Sequence, residues 1–102
     1  MPRFRRPVPI DAYVLDVLLR DLVGHDQQPS AFLVYLFLSG VAARQRWRPV
    51  ARSLRELADD TGLSKSAVQT ALATLQRREL VATKRDHATA VPRHRVLRPW
   101  RR

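Results

Sequence analysis

The side chains that could do chemistry in this 102-residue chain are hydrogen-bonding and cationic ones, and no cysteine is present. The densest set lies between Ser64 and Arg77. If Val68, Ala71, Leu72 and Leu75 form the core face of a helix, the opposite face carries Ser66, Thr70, Ala73 and Arg77, with Gln69 at its edge. Short side chains near a helix N-terminus suit insertion into a major groove. There a Gln carboxamide can pair in bidentate fashion with adenine, hydroxyls can reach bases or phosphates, and an Ala can meet a thymine methyl. Ser64 and Lys65 stand where free amides and the helix dipole favour a phosphate.

Charge points the same way. Nineteen Lys and Arg oppose nine Asp and Glu, for a net +10, and all but Lys65 and Lys84 of the cations are arginine. A domain this basic expects a polyanionic partner, nucleic acid before an acidic membrane. Residues 1–46 contribute +2, residues 47–79 another +2, and residues 80–102 the remaining +6. Lys84, Arg85, Arg93 and Arg95 therefore become candidates for tracking a phosphate backbone.

Other chemistries find no support. Without cysteine there is no disulfide framework, thiol nucleophile or zinc finger. His25, His87 and His94 lack metal-ligand spacing. None of the three glycines sits in a phosphate-binding loop. No nucleophile–base pair is visible, so the chain reads as a non-enzyme with no cofactor, no metal and no evident small-molecule ligand. The longest apolar run, residues 31–43, falls short of the roughly 20 residues a membrane span needs. The default expectation is a cytoplasmic, nucleoid-associated protein.

These side chains need elements to position them. Prolines and arginines make residues 1–10 an extended, flexible basic arm, and Arg3, Arg5 and Arg6 could enter a minor groove. A first helix is predicted over 11–23, capped by Asp11 and ended by Gly24. Val14, Leu18 and Leu22 line one side, and Leu15, Leu19 and Val23 extend the apolar surface. Ser30 is the predicted cap of a central core helix over 31–45. Pro49 makes residues 47–51 extended, with Trp47, like Trp100, packing at the core edge. Ser53 and Glu56 form a capping box that opens a helix to about Asp60. Gly62 suits a left-handed turn, and Ser64 caps a helix over 65–78. Leu80–Arg85 and Val91–Leu97 read as a hairpin whose second strand Pro92 confines to an edge. Residues 98–102 form a basic tail.

The motif Leu54-x-x-Leu57-Ala58-x-x-x-Gly62-Leu63-x-x-x-x-Val68-x-x-Ala71-Leu72 is a helix-turn-helix signature. Ala58 permits a close crossing, Gly62 makes the turn, and the leucines and Val68 pin the two helices together. From Ser53 to Val81 the chain resembles the winged-helix domains of bacterial transcription regulators, GntR and MarR groups included. Ser53, Arg55, Glu56, Leu57, Ala58, Gly62, Ser64, Val68, Ala71, Leu72, Leu75, Leu80 and Val81 carry the likeness. Lys65, Ala67, Gln69 and Glu79 depart from the GntR pattern, and the hairpin lacks a glycine-rich wing. The resemblance implies binding of duplex DNA, usually as a dimer, with Arg55, Ser64 and Lys65 as matching contacts.

The expected fold is mainly α with a small β-hairpin, a winged helix-turn-helix (residues 11–97) preceded by an extra N-terminal helix. The expected function is sequence-specific double-stranded DNA binding in transcription regulation. Arg55, Ser64, Lys65, Ser66, Gln69, Thr70 and Arg77 are the candidate contacts from the helices, and Lys84, Arg85, Arg93 and Arg95 those from the wing. A homodimer through helix 11–23 is expected, because one such module covers little DNA. A plasmid- or phage-type replication initiator and a protein–protein module are the alternatives.

Overall fold

A computed structural model describes residues 7–101. Most of the proposed N-terminal arm therefore lies outside the described residues. The first helix covers residues 12–25 and is wound largely as π-helix, over Val14–Leu18 and Arg20–His25. Its bonds span five residues, as in Leu19 N–H to Val14 O and Asp26 N–H to Asp21 O. Helix α1 (Pro29–Arg44) follows, then strand β1 (Val50–Ala51), helices α2 (Leu54–Thr61) and α3 (Lys65–Arg77), and strands β2 (Val81–Lys84) and β3 (Arg93–Val96). The three strands form one antiparallel sheet in the order β1-β3-β2. This is a winged helix-turn-helix with an added N-terminal helix.

Helix α1 is the centre of the core. Its Ala31, Val34, Tyr35, Leu38 and Ala42 are wholly buried. Each fully buried Leu or Val contributes about 1.5–3 kcal/mol. Tyr35 keeps its hydroxyl satisfied by donating to Leu97 O at 2.9 Å. Val14, Leu18 and Leu22 close the core from the N-terminal helix, and Leu57, Val68, Ala71 and Leu75 close it from the helix-turn-helix.

Four local expectations are corrected. Gly24 does not stop the first helix, which runs on to His25; the left-handed residue is Gln27 (φ 54°). Asp11 does not cap with its side chain: its Oδ2 accepts from Trp100 Nε1 at 2.9 Å. Ser30 is not the cap of α1, because Pro29 occupies the first turn and Gln28 precedes it; the fixed φ of proline suits that place. Strand β3 is central, not an edge. Pro92 precedes the ladder, whose pairing starts at Arg93, so its missing N–H costs no bond. Instead its carbonyl accepts from Arg52 N at 3.2 Å.

Residues 98–101 pack close to the core. Arg98 lies 3.5 Å above the Trp47 ring. Trp100 stacks on Tyr13 with centroids 4.7 Å apart. A hollow of about 280 Å³ opens there, lined by Val14, Tyr35, Phe37, Trp47, Arg98 and Trp100 among others. The sequence gives no sign of it, because its walls come from three segments far apart in the chain.

Candidate nucleic-acid interface

The helix-turn-helix is locally determined. The Glu56 amide donates to Ser53 Oγ (3.1 Å) and the Ser53 amide donates to Glu56 Oε1 (2.9 Å), completing the capping box. The same backbone bond holds the Glu56 carboxyl below its ordinary pKa. Helix α2 ends on Gly62 at φ 79°, a left-handed turn that a Cβ would strain. The Ala67 amide then donates to Ser64 Oγ at 3.0 Å, capping α3. Val68, Ala71, Leu72 and Leu75 are buried as expected, and Thr74 joins them.

The outer face of α3 is open to solvent. Ser64, Lys65, Ser66, Gln69, Thr70, Ala73 and Arg77 are all exposed, as is Arg55 on α2. Beside α3 the wing forms the wall of a groove of about 320 Å³. Gln69, Ala73 and Gln76 line it from the helix, and Thr83 and Arg85 from the wing. Gln76, absent from the sequence-based set, lies one turn beyond Ala73 and two turns beyond Gln69 on the same face. That spacing was the available signal.

The sheet divides the wing cations. Strand alternation turns Thr83, His94 and Val96 inward and leaves Ala82, Lys84, Arg93 and Arg95 exposed. Ala82 pairs with Arg95 and Lys84 with Arg93 across the strands, and Pro49 adjoins them. Arg85 therefore shares the groove with Gln69, while Lys84, Arg93 and Arg95 form a cationic cluster on the opposite face of the sheet. Arg93 is also paired with Asp86 at 2.6 Å. Lys65, Arg77, Lys84, Arg85 and Arg95 have no carboxylate partner among the described residues.

Two partly buried polar arrangements support this surface, and neither was visible in the sequence. Arg78, just past α3, donates to both Asp26 oxygens, from Nε at 2.8 Å and Nη2 at 2.6 Å. This fork fixes the end of α3 to the end of the N-terminal helix. Chiefly through the Arg78 bond, the Asp26 pKa falls to about 2. The second arrangement runs from Gln76 Nε2 to Thr83 Oγ1 (3.2 Å), from Thr83 Oγ1 to His94 Nδ1 (2.9 Å), and from His94 Nε2 to Arg52 O (2.9 Å). Burial pushes the His94 pKa below the usual imidazole range.

Among the described residues no cluster of potential metal ligands occurs, and no helix is long and apolar enough to cross a membrane. No curated protein and no solved structure matches the chain. The IclR helix-turn-helix domain family matches residues 48–85, from the approach to β1 through α2 and α3 to the first wing strand. The matched family is neither GntR nor MarR, so the earlier resemblance holds for the winged-helix regulators generally. Residues 48–85 are thus similar to the DNA-binding helix-turn-helix of the IclR domain, and that segment contains α3 and its exposed polar face.

Proposed function

We propose that the chain is a sequence-specific duplex-DNA-binding transcription regulator. The observation that carries this reading is the exposed polar face of α3 standing beside a basic wing across an open groove. In this reading α3 enters the major groove, where Gln69 reads a base edge and Ser66 and Thr70 reach bases or phosphates. Lys65 and the Ser64 end of α3 hold a phosphate. Arg55 and Arg77 flank the groove, and Arg85 follows the backbone on the wing side. Lys84, Arg93 and Arg95, on the far face of the sheet, contact the neighbouring stretch of backbone instead.

The regulator acts as a homodimer in this reading. Leu15, Leu19 and Val23 lie four residues apart on the N-terminal helix and remain 52%, 39% and 37% exposed. Such an apolar row, beside the buried Val14, Leu18 and Leu22, suits a second copy, which brings two α3 helices to two half-sites.

In-vitro selection of bound DNA tests the reading. It should return a defined, two-fold-related site, and Gln69→Ala should relax the preference at one position per half-site. A selection that returns no enriched sequence would contradict it.

A further inference from the structure

His94 is the most buried polar residue of the wing, at 1% exposure, and the DNA reading gives it no task. Its hydrogen bonds have a fixed sense. Arg52 O can only accept, so His94 Nε2 carries a hydrogen and donates to it. In the neutral ring Nδ1 is then an acceptor and takes the Thr83 hydroxyl hydrogen. Thr83 Oγ1 is left free to accept from Gln76 Nε2. One chain of bonds therefore joins α3, β2, β3 and the loop before α2. It spans the floor of the groove that Gln69, Ala73 and Arg85 line.

We propose that Gln76, Thr83 and His94 form a latch that fixes the wing against α3, and that a proton on His94 opens it, weakening discrimination among duplexes in acid. A proton on Nδ1 converts that atom to a donor, and the Thr83 hydroxyl hydrogen loses its acceptor. A buried imidazolium then faces the groove wall. From the wing, Arg85 repels it. From the loop before α2, Arg52 presents its carbonyl, while its guanidinium turns to Asp60 at 3.7 Å. From α3 the facing groups are the neutral Gln69 and Gln76. Its strand neighbours Arg93 and Arg95 are exposed, and across the ladder Lys84 is exposed as well. No carboxylate bonds the ring among the described residues. The cation must therefore gain water, and separation of the wing from α3 admits it.

Burial and Arg85 both lower the His94 pKa, so the latch is closed at neutral pH and opens below the usual imidazole value of about 6.5. The consequence for DNA rests on the proposed function; the latch itself does not.

The experiment follows the full chain by NMR from roughly pH 8 to pH 5, as wild type, His94→Gln and Thr83→Val. His94→Gln supplies one donor and one acceptor but no titration. In the wild type, protection of the 84–91 amides should fall about tenfold as the His94 ring titrates, and the Gln76 side-chain amide should shift with the same midpoint. His94→Gln should show neither change, and Thr83→Val should be open throughout. Titration of His94 with no change at Gln76 or in the wing would overturn the proposal. So would an unaltered wing in Thr83→Val. In parallel, the affinity ratio of a selected duplex over its scrambled version should fall about tenfold in acid for the wild type only. If no duplex binds at any pH, the DNA reading fails while the NMR result still decides the latch.

Discussion

Replacing Asp26 with Asn tests the forked ion pair between Arg78 and Asp26. The substitution keeps the size of the side chain and removes the charge that accepts two bonds from Arg78. In the folded chain the Asp26 carboxyl lies at about 2 against an ordinary 3.8, which corresponds to about 2 kcal/mol at about 1.4 kcal/mol per tenfold. The side chains of Arg78 and Asp26 are 31% and 14% exposed, so solvent screening reduces the expected loss to about 1–2 kcal/mol. For a domain of this length that loss lowers Tm by roughly 5–15 °C. The pH dependence has a definite sign. The folded pKa is depressed, so the contribution is complete above the unfolded value near 3.8 and drains away as pH falls through about 2. Thermal unfolding of wild type and Asp26→Asn should therefore differ clearly at pH 6 and converge toward pH 2. Arg78→Met combined with Asp26→Asn should cost less than the two changes summed. A Tm loss under 1 °C at pH 6, or one that persists undiminished at pH 2, would refute the argument.

Other expectations concern the surface and its supports. Gln69→Ala should cost about 1–3 kcal/mol on the selected site and little on a scrambled duplex, measured by fluorescence anisotropy. Arg95→Ala should weaken both duplexes alike and flatten the salt dependence by about one phosphate. Leu19→Glu should shift the species seen by size exclusion with light scattering from dimer to monomer, with α3 still folded by circular dichroism. Ser53→Ala removes one half of the capping box and should cost about 1 kcal/mol in urea denaturation.

The helix-turn-helix was legible because its determinants are local. Ser53, Glu56, Gly62 and Ser64 each act on neighbours within a few residues, and the structure shows every one in its expected role. The core face of α3 followed from periodicity alone. Features that depend on residues distant in sequence were not legible. Asp26 and Arg78 are 52 positions apart, and His94 reaches back 42 positions to Arg52. Pro92 misled because an edge rule reads the residue, whereas the strand starts one residue later and gains β1 as a second neighbour. The wing cations looked like one cluster in sequence, but pleat alternation placed Lys84, Arg93 and Arg95 on one face and Arg85 in the groove. His94 offered a faint signal, since it alternates with Val96 on an inward face, but no rule from sequence joins it to Gln76.

In the proposed function, α3 and the wing together hold a duplex. Its most direct test is the binding constant for a selected duplex as a function of salt. Log K should fall steeply with log salt, by about 0.9 for each phosphate neutralised, with several phosphates in the slope. Substitution of Lys65 and Arg85 should lower that slope. A chain that fails to bind duplex at low salt, or binds it with a flat salt dependence, would show that α3 and the wing do not grip DNA.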